Sequence, residues 1–160
     1  RNSEEAKHLW MKLAPDLVQD FNAKAGYRLA PFTVEYPSVI NRGEEITITH
    51  IWQNLGWGVL PNKNSHWGYK YKVAFALLSK STGKPVELLI DEDVEPSDWL
   101  NSKKKPYHSF LVFNAPAEKY TLAVGIVDTS RRNEIGIQLA VKDQNPAYGG
   151  WLPIGDVIVQ

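Results

Sequence analysis

The sequence predicts an all-β protein: an antiparallel two-sheet β-sandwich of about eight strands, with one helix at its N-terminal end. Three observations predict it. From residue 27 onward apolar residues recur at every second position, as in Ile46, Ile48, His50, Trp52 and again in Tyr71, Val73, Phe75, Leu77. These runs are rich in β-branched and aromatic residues, which suit a pleated surface. Short clusters of Gly, Asn, Ser and Pro punctuate them, as in Ser81-Thr82-Gly83-Lys84.

The elements follow in order. Ser3 reads as an N-cap with Glu4 and Glu5 in the first turn, and Leu9, Trp10, Leu13, Leu17, Val18 and Phe21 recur at helical spacing across Pro15. Gly26 supplies the stop, so residues 1–25 are expected to be a helical segment or connector and 26–160 the sandwich domain. The first strand covers Tyr27 to Tyr36, where Pro31 demands either an edge or a bulge. Glu44 to Gln53, Tyr69 to Ser79 and Val86 to Ile90 follow. Tyr107 to Asn114, the run through Tyr120 and Ile126, Ile135 to Val141, and Trp151 to Val159 complete the set. The pattern is that of an immunoglobulin-like or jelly-roll-like sandwich.

Strand parity adds a second inference. If each strand crosses the sandwich once, the connections 54–68, 91–106 and 129–134 share one end, and 37–43, 80–84, 115–119 and 141–150 share the other. The first set holds the two longest loops, and long loops on a rigid scaffold are where function concentrates. Parity puts Trp151 at the opposite end.

Composition limits the partners. The 160 residues carry 18 basic and 18 acidic side chains. A neutral chain argues against nucleic acid and anionic membrane. The chain has no cysteine, which excludes disulfides and cysteine-based chemistry. No apolar run approaches the roughly 20 residues of a membrane-spanning helix. Opening at Arg1, the chain reads as a segment of something longer or a mature product. Six Trp and seven Tyr stand out.

Several landmarks fall in a familiar order: GYRL (26–29), EYPSVINRGEEITI (35–48), HIWQNLGWGVLP (50–61), KVAFALLSKSTGK (72–84), SDWL (97–100), KYTLAVGIVD (119–128), IGIQLAV (135–141) and GGWLPIGDVIV (149–159). Over about residues 26 to 159 the chain resembles the bacterial β-sandwich family catalogued as domain of unknown function 4832. Members of that family typically follow a (β/α)8 barrel in proteins resembling glycoside hydrolases. The resemblance implies an accessory module of a carbohydrate-active enzyme, with its catalytic domain in the same chain, and a secreted, periplasmic or cell-surface location. It carries over no catalytic residue.

Sugar rings stack their C–H faces on Trp or Tyr while polar groups take the hydroxyls. The loop-rich end offers Trp57, His66, Trp67 and Tyr69 on one connection, Trp99 with Lys103, Lys104 and Lys105 on the next, and Arg131 with Arg132 on the third. These are the candidate carbohydrate-binding residues. The cations would suit a uronic-acid or sulfated polysaccharide. The competing explanation is that the tryptophans plug the end of the core. Trp52 and His50 are in phase with Ile48 and belong inside. The acidic run Asp91, Glu92, Asp93, Glu95, Asp98 lacks a glycine-punctuated calcium motif, so a structural calcium is not favoured and no cofactor is required. No spacing singles out a catalytic carboxylate pair, a metal-binding His pair or a nucleophile elbow. The expectation is a non-catalytic carbohydrate-binding module that binds polysaccharide or oligosaccharide. The alternative is a sandwich that packs on a hydrolase barrel and binds no sugar.

Overall fold

Period-two patterning becomes two hydrogen-bonded sheets in the computed structural model, which describes the backbone of residues 6–10 together with residues 26–142 and 144–160. The strands are β1 (Ala6–Trp10), β2 (Leu29–Pro37), β3 (Val39–Ile40), β4 (Glu45–Asn54), β5 (Tyr71–Ser79), β6 (Pro85–Asp91), β7 (Lys105–Val112), β8 (Glu118–Asp128), β9 (Glu134–Ile137) and β10 (Leu152–Val159). One sheet runs β1-β2-β4-β7, antiparallel throughout. The other runs β3-β10-β8-β5-β6, with β9 also paired to β8. Here the two-residue β3 lies parallel to β10 and the other pairs are antiparallel.

The expected N-terminal helix is corrected at its start. Ala6–Trp10 is a strand that pairs with Thr33–Pro37 of β2. Helical spacing is a weak prior, and the unpaired edge of β2 offers a row of backbone partners that outweighs it. The remainder of that expected helix, through residue 25, lies outside the described residues. Pro31 takes the bulge rather than the edge. The register of β2 against β4 shifts between Pro31 and Thr33, and β1 begins its pairing only at Thr33, so the missing proline N–H breaks no ladder bond to β1.

Both sheets feed one buried cluster. Leu29, Val34, Ile48 and Trp52 come from the first, and Val73, Phe75, Leu77, Leu122, Val124, Ile126 and Ile154 from the second. Apolar faces of two sheets meeting this way are consistent with a sandwich. A second apolar cluster forms on the opposite face of β5 and β8, from Ala74, Ala76, Leu78, Ala123, Val127 and Trp151. The central strands are therefore buried on both faces, which alternation alone does not reveal.

The ends sort largely as parity predicts. Leu29 pairs with Asn54, Trp52 with Lys105, Tyr71 with Asp128, Val73 with Asp91 and Asp128 with Glu134. The three long connections after β4, β6 and β8 thus emerge together. Parity holds only in part for the last connection: Ala147 and Tyr148 lie against Gly83 of the 80–84 turn, but β9 is only four residues long and does not cross the sheet. Beyond it, the Ala140 N–H donates to the Leu29 carbonyl at the same end, and β10 starts with Leu152 opposite Val124. The placement of Trp151 is corrected accordingly. It lies on the outer face of β8 against Gly125, where an added Cβ would come within about 3.0 Å of the indole.

Candidate functional site

The loop after β4 is built on Asn54. Its side chain is buried and makes four hydrogen bonds. Oδ1 accepts from the backbone N–H of Arg28 (3.1 Å) and Gly56 (2.9 Å), and Nδ2 donates to the carbonyls of Gly58 (2.8 Å) and Trp99 (3.0 Å). Main-chain bonds from Leu55 to Arg28 and from Gly58 to Gly26 lock the same turn to the start of β2. Gly56 is required there, since a Cβ would collide with the Gly26 carbonyl oxygen and the backbone of Tyr27 and Arg28. Asn101 Nδ2 then donates to the Gly56 carbonyl at 2.9 Å, joining this loop to the one before β7.

On that clamped turn Trp57 stands 88% exposed. A ring of this size held out into solvent on a fixed backbone is unusual, because Trp is highly buried on average. Beside it runs a groove of about 310 Å³, bounded by Gln53, Leu55 and Trp57 on one side and by Asn101, Ser102, Lys103 and Lys104 on the other. The Lys104 ammonium lies 4.5 Å from the centre of the Phe32 ring, a cation–π contact that steadies the side chain. At the floor, Gln53 is 9% exposed and its Nε2 has no hydrogen-bond partner. Buried donors are nearly always paired, and this is the one buried side-chain donor among the described residues without a partner. Two other grooves, about 240 Å³ beside Glu35 and Glu45 and about 530 Å³ beside Gln138 and Asn145, present no exposed aromatic ring among their described lining residues.

The remaining predicted residues divide. Trp99 is corrected to core: it is fully buried, stacked on Trp52 at 4.6 Å and 16°, and its Nε1 donates to the Tyr107 hydroxyl at 2.7 Å. Trp67 is half-buried and packs edge-on against Tyr71 at 5.1 Å, with the Lys70 ammonium 5.6 Å from its ring centre. His66 and Tyr69 are exposed on the same turn, where Tyr69 adopts φ 58°. Arg131 and Arg132 are exposed on the loop after β8, and Arg131 Nε sits 4.0 Å from the buried Asp128 carboxylate. Of the predicted set, the Trp57 groove gathers Trp57, Lys103 and Lys104. Sequence reasoning missed Gln53, Asn101 and Ser102. Gln53 follows Trp52 out of phase with the core, which reads as a solvent-facing position.

The acidic run is occupied with local structure. Glu95 Oε2 accepts from Asn62 Nδ2, Ser97 N and Ser97 Oγ, Asp98 pairs with Lys63 at 2.8 Å, and Glu92 lies 3.7 Å from Lys72. Asp91 accepts from Ser109, whose hydroxyl oxygen is 2.7 Å from His50 Nε2, while Trp52 Nε1 donates to His50 Nδ1 at 2.7 Å. An indole N–H can only donate, so Nδ1 accepts and Nε2 carries the hydrogen. Donation therefore runs from Trp52 to His50 to Ser109 and ends on the Asp91 carboxylate, which accepts. Burial pulls the His50 imidazole down to about 4 against the opposing pull of Asp91. A neutral imidazole with its only acceptor nitrogen already engaged, and with no exposed surface, has no free lone pair to serve as a general base. The network is a joint between the two sheets.

No family model matches the chain, and no curated protein matches it. Among solved structures, a Niemann-Pick type C2 protein from Japanese carpenter ant superposes with TM-score 0.40 and 7% identity, over 76% of this chain and 79% of that one. The CARDB domain of a Pyrococcus furiosus protein, crystallised with di-metal ions, superposes with TM-score 0.43 and 13% identity, over 84% of this chain and 94% of that one. Similarity this distant carries no functional argument.

Proposed function

We propose that this chain is a non-catalytic carbohydrate-binding β-sandwich, acting as an accessory module of an exported bacterial polysaccharide-degrading enzyme. One observation carries the reading: an 88% exposed Trp57 on a backbone clamped by Asn54, standing over a groove whose buried Gln53 amide lacks a partner. A flat ring on a fixed backbone supplies a stacking face for a sugar without ordering the loop. Gln53, Asn101 and the lysines supply directional polar contacts beside it. The family resemblance over residues 26–159, and the enzyme context it implies, belong to the same proposal. Binding would raise the local concentration of a linked catalytic domain on its substrate.

A second reading has its own observation. Val59 and Leu100 are 43% and 48% exposed on the two loops joined by Asn101, so with Trp57 they could pack against a neighbouring domain instead. Affinity electrophoresis against a panel of neutral, uronic-acid and sulfated polysaccharides separates the two. Retardation by a polysaccharide, abolished by Trp57→Ala at unchanged thermal stability, is expected for the binding module. Absence of retardation across the panel favours the docking surface.

A further inference from the structure

We infer that the Trp57 groove selects an acidic sugar, one whose ring carries a carboxylate or a sulfate, over its neutral counterpart. This rests on the carbohydrate-binding reading and specifies its ligand. The charged groups that line the groove carry one sign. The ammonium groups of Lys103 and Lys104 pair with no carboxylate among the described residues. Among the described residues no Asp or Glu lines the groove.

A sugar hydroxyl both donates and accepts, so a site tuned to neutral sugars benefits from free groups of both kinds. An ionised carboxylate or sulfate only accepts. Two cationic donors beside an aromatic face match a ring with an apolar side and one anionic substituent. The match is local, because the chain as a whole has no net charge. Arg131 and Arg132, the other cations at this end, do not line the groove.

The test compares matched polymers in affinity gels: polygalacturonate and alginate against their carboxyl-reduced forms, and dextran sulfate against dextran. Wild-type protein is expected to bind one acidic member at least about tenfold more tightly than its neutral match, with retention that weakens as NaCl is raised. Whichever pair shows the preference identifies the anion. The double variant Lys103→Met, Lys104→Met, altered only at exposed positions, is expected to bring the ratio to about one. Equal retention on neutral and acidic members, or a preference that survives the double lysine variant, overturns the inference while leaving the carbohydrate reading in place. Absence of retention on every polymer overturns both.

Discussion

Asn54 is the side chain on which the Trp57 turn depends, and two substitutions there should behave differently with pH. Asn54→Ala removes four hydrogen bonds of 2.8–3.1 Å. At about 1 kcal/mol net for each, the ceiling is about 4 kcal/mol. The groups on half-buried Arg28 and Gly58 can turn to water, whereas those of buried Gly56 and Trp99 cannot. A loss of about 2–3 kcal/mol follows, or about 6–9 °C in Tm for a domain of this size. Asn54→Asp keeps the accepting oxygen but sets a second carboxylate oxygen against the Gly58 and Trp99 carbonyls. Burial and that repulsion raise the folded-state pKa of the new acid above its unfolded value. Such a group contributes most below the unfolded pKa, and its contribution is lost as pH rises through the folded pKa. Urea unfolding should therefore show Asn54→Asp at least as destabilised as Asn54→Ala at pH 7. Its deficit against wild type should shrink by at least about 1 kcal/mol at pH 4.5, while that of Asn54→Ala stays flat. A deficit for Asn54→Asp that is constant with pH, or a cost for Asn54→Ala below about 0.5 kcal/mol, would refute the clamp.

Three further outcomes are expected. His50 is held neutral with its pKa lowered from 6.5 to about 4, so the unfolded chain takes up its proton first as pH falls. Stability from this group is present above about 6.5 and falls by about 3 kcal/mol by pH 4; in His50→Gln that component of the slope should vanish, and a wild-type–variant difference unchanged between pH 7 and pH 4 would refute it. Gly56→Ala, which forces a methyl into the backbone of residues 26–28, should cost at least about 2 kcal/mol in thermal unfolding, and a Tm within 1 °C of wild type would contradict the crowding. Trp67→Ala should lower stability by about 1–3 kcal/mol through lost packing on Tyr71 while polysaccharide retention persists; retention lost at unchanged stability would move the binding face to that ring.

Local pattern and tertiary contact divided the information unevenly. Alternation along Ile46 to Trp52 and Tyr71 to Leu77 was enough to read two-faced strands, to put His50 and Trp52 inside, and to group the connections after β4, β6 and β8 at one end. These properties depend only on the period-two geometry of a strand and on antiparallel succession, both written in residue order. The strand at Ala6–Trp10 was not legible, because the same residues carry helical spacing and it is the open edge of β2 that recruits them. Trp151 was misplaced because parity assumes that every strand crosses the sheet, and β9 stops after four residues. In the site, the sequence singled out the aromatic-rich loop but could not separate Trp57 from Trp99. One stands in solvent and the other stacks on Trp52, a difference set by contacts between residues far apart in the chain. Gln53 shows the same limit: its side-chain type is plain in the sequence, but its burial and its missing partner are properties of the folded chain. Strand identity and facing follow from the sequence because backbone sterics act between neighbours. Which groups are buried, paired or left free to meet a ligand was decided by the tertiary structure, because burial and hydrogen-bond completion depend on every atom packed nearby.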